Sequence, residues 1–252
     1  MKSFLLSLLF LIYNLSLAGA ILALSWIDLS LVAYLLILLS KWRIFAVSQH
    51  YWIPHLKSNS CDLVVGISTV ALINTPYFST NLTASAFIAL LYVGWLIVIK
   101  PLSHDWGRST QALICQFYGL SALWLHLDGA LSGLVAIPLA WLVGLIAANH
   151  FLNATQTEDS LLRSTLVMIW GLFIACLAWL SWVWSISYVL PSGVFAIPQI
   201  AIIATLSGYF TGQIINGLLK KDLTRQNVLQ NTIFFIGIMA IIIVFSPWQP
   251  VQ

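Results

Sequence analysis

Residues 40–60 read SKWRIFAVSQHYWIPHLKSNS. Three of the chain's ten Lys and Arg residues (Lys41, Arg43, Lys57) and two of its five His (His50, His55) fall in this stretch. Its neighbours are almost wholly apolar. The chain has 252 residues, of which 61% are hydrophobic and 7% charged, with a mean hydropathy of +0.98. A soluble domain carries about 25% charged residues, so this chain must be solvated by lipid. A span needs about 20 apolar residues, with its backbone hydrogen bonds closed as a helix. The long apolar runs lack the alternating pattern of a membrane barrel. The fold class is therefore all-α: a polytopic helical membrane protein in a single integral membrane domain.

Nine spans are expected, at about 4–24, 28–46, 61–78, 83–99, 109–127, 129–149, 164–186, 193–217 and 231–247. Residues 1–24 have features of a signal peptide, but the apolar run outlasts an ordinary h-region, so an uncleaved first span is expected. The second span is short of apolar length, and Lys41 and Arg43 would snorkel from it to the interface. With the N-terminus cytoplasmic, all ten basic residues fall in cytoplasmic segments and none in external ones. The Lys/Arg bias orients such proteins, giving N-terminus in and C-terminus out.

The opening stretch then becomes the longest cytoplasmic segment. Trp42, Phe45, Ala46, Trp52 and Leu56 lie near helical spacing on one face, with a break expected at Pro54. It reads as an interfacial helix, with Lys41, Arg43 and Lys57 toward anionic lipid headgroups. Trp26, Trp106, Trp124 and Trp248 fall where an aromatic belt would lie. The basic residues are scattered singly, which does not describe a nucleic-acid surface. Cys61, Cys115 and Cys176 are far apart and read as packing residues.

Intramembrane ionisable groups usually mark function. All seven acids are expected near span ends: Asp28, Asp62, Asp105, Asp128, Glu158, Asp159 and Asp222. That argues against a proton pump, and the lack of a mid-span Lys excludes a retinal Schiff base. On the outside, His126 and Asp128 in HLDG are a metal candidate, or Asp128 caps a turn. On the cytoplasmic side, His104, Asp105, His150 and Glu158 are catalytic candidates. In the eighth span, Tyr209, Gln213 and Asn216 share a face at i, i+4, i+7 and are candidate binding residues. Gly208 and Gly212 share another face suited to close helix approach, as do Gly129 and Gly133 in the sixth, which also carries Pro138. Prenyltransferases of the ubiquinone-biosynthesis type also have nine spans, but neither cytoplasmic loop here carries the DxxxD that would hold Mg²⁺ on a diphosphate. There is no P-loop, GxSxG, HExxH or nucleotide fingerprint, and no cofactor is specified. Asn81-Leu-Thr83 is a formal glycosylation sequon.

LSKWRIFAVSQHYWIPHLKSNSCDLVVGIS (39–68), LYVGWLIVIKP (91–101), His150-Phe151-Leu152 and IPQIAII (197–203) together resemble a family of polytopic membrane proteins from the bacterial group Saccharibacteria. The resemblance implies a bacterial cytoplasmic membrane. It brings no activity and no site residues. The leading functional reading is a transport or scaffold component, with protein partners or self-association. The alternative is a membrane-embedded enzyme acting on a lipid at the cytoplasmic face, using His50, His55, His104, Asp105, His150 and Glu158.

Overall fold

The computed structural model describes residues 2–44, 46–126, 133–154, 160–184, 186–189, 195–220 and 224–246. Asp128, Gly129, Glu158, Asp159, Asp222 and Trp248 lie outside them. The described residues are helical apart from one short antiparallel strand pair. In order they form α1 (Lys2–Trp26), α2 (Ser30–Ser40), α3 (Trp52–Ile73), the single turn α4 (Pro76–Ser79), α5 (Leu82–Gly94), α6 (Asp105–His126), α7 (Gly133–Ala154) and α8 (Ser160–Val183). Strands β1 (Ser187–Val189) and β2 (Ala196–Pro198) follow, then α9 (Gln199–Lys220) and α10 (Arg225–Val244). Seven apolar segments are long enough to cross a membrane.

The two expected spans outside those seven differ for opposite reasons. At 11 residues, α2 is only about 16 Å long, half the roughly 30 Å of a hydrocarbon core. It stops at Ser40, where the Lys41 amide turns back onto the carbonyls of Leu38 and Leu39. By contrast α6 has 22 residues, ample length, but carries Gln111, Gln116 and Ser121. All three are buried. This helix is surrounded by protein, packing on α3, α7 and α9, so it does not need an apolar surface.

One core gathers α1, α2, α3 and α5 against one face of α6, through residues such as Ile21, Ile37, Val65, Tyr92 and Tyr118. A second joins the opposite face of α6 to α7, α8 and α9, through Leu120, Ala140, Ile174 and Ala204. Cys61 and Cys115 are buried in the first core. Trp124, expected in an interfacial belt, is instead buried in the second, near the Ser181 carbonyl.

Local chemistry accounts for the element ends. Asp28 adopts a left-handed conformation (φ 59°). The Leu29 amide then reaches the Leu24 carbonyl and the Asp28 amide the Ser25 carbonyl, a Schellman end to α1. Asn81 of the sequon caps α5, its Oδ1 accepting from the amides of Thr83 and Ala84. The 41–60 segment, expected as a separate interfacial helix broken at Pro54, forms 3-10 turns at Trp42–Ile44 and Gln49–Tyr51 and then enters α3 at Trp52. Pro54 lies in the first turn of α3, where no intrahelical donor is needed. The helix therefore runs on without a break.

Helices α7 and α8 meet through glycines. A Cβ on Gly144 would lie 2.9 Å from Ile174 Cβ and 3.3 Å from Gly171 Cα, neither of which can swing away. We expect Gly144→Val to lower stability in mild detergent by about 1–3 kcal/mol. Gly19→Ala, where nothing lies within 4 Å, should cost nothing. Thermal midpoints of the two purified variants check this, and an unchanged midpoint for Gly144→Val would contradict the α7–α8 contact.

Candidate functional site

The cytoplasmic-side reading of the loops directs attention to the helix ends at 41–62, 100–111 and 147–163. Two arrangements occur there. The first is ionic. Asp62, expected near a span end, stands midway along α3, because the helix begins nine residues before the expected span. Its Oδ2 bonds Lys41 Nζ and, at 2.7 Å, Lys100 Nζ. Its Oδ1 accepts Trp95 Nε1–H at 3.0 Å. The Lys41 and Asp62 side chains are each 7% exposed, and that of Lys100 41%. Lys41, expected to snorkel to headgroups, instead turns inward to this carboxylate.

Trp95 and Lys100 reach one acceptor because the end of α5 changes its winding. Residues five apart on an α-helix point about 140° away from each other at 3.6 residues per turn. Trp95–Ile99 forms a π turn closed by Lys100 N–H to the Trp95 carbonyl at 2.8 Å, which brings the two side chains to the same side. One turn along α3, a Cβ on Gly66 would sit 3.2 Å from the Tyr92 hydroxyl. That hydroxyl is buried with no hydrogen-bond partner among the described residues.

The second arrangement is a partly open cavity of about 830 Å³ bordered by parts of α6, α7, α8, α9 and α10. Tyr209, Gln213 and Asn216, predicted to share a face, all line it, as do Gly208 and Gly212. From α10 come Asn227, Gln230 and Asn231, and from α6 Ser109, Thr110 and Gln116. Trp106, Phe151 and Trp170 supply aromatic surface. Asp105, in the first turn of α6, is the one charged residue in the lining described.

Gln116 gives the cavity its direction. It is 2% exposed, and its Oε1 accepts from Trp170 Nε1 at 2.9 Å. That bond fixes the amide, because the indole N–H can only donate. Its Nε2 then carries donors with no partner among the described residues. A Cβ on Gly208 would come within 3.4 Å of this nitrogen, so the glycine leaves room in front of it. Sequence reasoning missed Gln116 because a lone Gln in a span more often serves packing.

The other candidates are dispersed. His150 Nε2 lies 2.7 Å from Gln111 Oε1, while Gln111 Nε2 donates toward the carbonyls of Ile99, Lys100 and Leu102. Those carbonyls fix the amide orientation, so His150 must donate from Nε2. His104 Nδ1 accepts from the Gly107 amide at 3.1 Å and closes the start of α6. His50, His55 and Lys57 are exposed on the approach to and first turns of α3, and Arg43 lies in the turn Trp42–Ile44. His126 is exposed at the far end of α6, and its expected partner Asp128 is outside the described residues, as is Glu158. Among the described residues no three His, Cys, Asp or Glu come together to hold a metal ion.

Asp62→Asn leaves two ammonium groups sharing a neutral amide. Removing one partner of a buried pair costs about 3–5 kcal/mol, and we expect a loss of that size in thermal unfolding in detergent. Replacing both buried partners with apolar residues, Lys41→Met with Asp62→Leu, should recover most of it, since Lys100 can turn to water. Equal loss in the single and double variants would contradict the pairing.

The chain matches no protein-family model, no curated protein and no solved structure.

Proposed function

We propose that this chain is a transport component of a bacterial cytoplasmic membrane, crossing it nine times with the N-terminus inside and the C-terminus outside, and that it binds its ligand in the α6–α10 cavity. The observation that carries this is the cavity itself. A site of about 830 Å³ lined by aromatic surface and a few convergent polar groups has the size and character of a ligand pocket. Its amides and hydroxyls suit holding a ligand. The acids and imidazoles an enzyme would use are spread among separate contacts, so the enzymatic reading has less support.

The contacts between helix ends support the topology. At one end, Asp62 ties Lys41 to Lys100, Gln111 meets His150, and Arg163 Nη2 donates to Asn149 Oδ1 at 2.8 Å. At the other, Asn74 meets Ser25, and Trp124 approaches the Ser181 carbonyl. This pairing is what up-and-down alternation requires, with α2 and α6 included among the passes. It gathers basic residues at the first end, the side the Lys/Arg rule makes cytoplasmic. Exposed Lys57 then remains available to anionic headgroups.

The test is mass spectrometry of small molecules retained through mild-detergent purification. Wild type should carry one compound at near one per chain, and Gly208→Val, which places methyl groups before Gln116, should lose it while eluting unchanged. A chain that carries no compound and purifies with a stoichiometric protein partner would replace this proposal with the scaffold reading.

A further inference from the structure

We infer that the ligand is a lipid whose headgroup bears hydroxyl or amide groups and no negative charge, and that it reaches the cavity sideways from the bilayer between α8 and α10. This rests on the cavity being the ligand site.

Depth is the first argument. Ile169 of α8 and Tyr209 of α9 both line the cavity and are 57% and 49% exposed. They lie about 14–17 Å from the cytoplasmic ends of their helices at 1.5 Å per residue, near the middle of a hydrocarbon layer roughly 30 Å thick. A cavity wall exposed at that level faces lipid chains. The flanking helices leave such an opening: α8 packs on α7 and α9, and α10 on α9, while α10 has no buried residue.

The polarity of the lining gives the orientation. At the cytoplasmic end it is amide-rich, with Gln213, Asn216, Asn227 and Asn231. Toward mid-membrane the amides give way to Leu113, Ile169 and Trp170, with Gln116, Tyr209 and Thr211 as the polar side chains at that level. A molecule with a polar head and an apolar tail matches that gradient. The buried donor of Gln116 lies among the apolar residues and calls for an acceptor, such as an ester carbonyl at the junction of head and tail. The lining described has no Lys or Arg, and its one charged residue is the acid Asp105. A phosphate taken into it would lose water without gaining a counter-charge, so phospholipid headgroups are selected against.

The purified protein is exchanged into mixed micelles containing monoglucosyldiacylglycerol and phosphatidylglycerol of identical chains, and retained lipid is read by native mass spectrometry. The glucolipid should be retained over the phospholipid by about tenfold or more, and Gln116→Leu should reduce its retention by about tenfold, the loss of one hydrogen bond. Ile169→Trp, on an exposed position that should not disturb folding, should slow loading from the micelle, and methyl glucoside should not displace the lipid. Equal retention of phosphatidylglycerol, displacement by methyl glucoside, or indifference to both variants would overturn the inference. A protein that keeps a water-soluble compound but neither lipid would overturn it while leaving the cavity as a transport site. A protein that keeps nothing, with Asn231→Cys closed to a hydrophilic maleimide, would overturn both.

Discussion

A carboxylate halfway along a helix in a lipid-solvated protein must be surrounded by donors or not be charged at all. Asp62 meets that demand with contributions from three elements: Lys41 beyond α2, Trp95 in the π turn and Lys100 just after it. Each donor has a structural consequence. Lys41 can reach inward only because α2 ends at Ser40, which makes α2 half a span in length. Trp95 and Lys100 converge only because α5 ends in a π turn. The first half of the molecule is arranged around satisfying one buried charge, since each unpaired buried ion costs several kcal/mol.

The second half obeys the same rule with neutral groups. Helix α6 is the most polar of the long helices and contributes buried residues to both cores. Its amides are assigned one by one. Gln111 serves the carbonyls that end the α5 region and the imidazole of His150, and Gln116 serves Trp170. The remaining donor of Gln116 is left without a partner among the described residues, as are the buried polar groups of Tyr92, Ser121 and Trp141. Of these four residues, Gln116 is the one that lines the cavity, and an unmet donor on a cavity-lining residue is an argument for a ligand at that point.

Much of this was legible in the residues. Composition required lipid, and the 3.6 periodicity put Tyr209, Gln213 and Asn216 on one face, where the cavity lies. The ionic cluster was not legible, because its reading depended on where α3 begins. Pro54 read as a helix breaker puts Asp62 at a span end; Pro54 read as a first-turn residue puts Asp62 mid-helix and makes it a functional flag. The π turn hid the rest, since Trp95 and Lys100 on an ordinary α-helix would diverge. Gln116 was invisible for another reason. Its meaning lies in which half of its amide is left over, and that is decided by Trp170, distant in sequence.

The two arrangements are joined through one side chain. Gln111 Nε2 holds the carbonyls of Ile99, Lys100 and Leu102, the backbone that carries the exposed lysine of the Asp62 cluster. Its Oε1 holds His150 at the end of α7, whose neighbour Phe151 lines the cavity and lies 3.1 Å from where a Gly212 Cβ would be. Phe151 thus sits beside the same short polar chain that holds the backbone of Lys100. Lys100 is the solvent-accessible member of the triad, and Lys41 is the buried one. The ionic cluster therefore has one buried pair and one exposed arm, and the backbone of the exposed arm is held by the side chain that also meets α7.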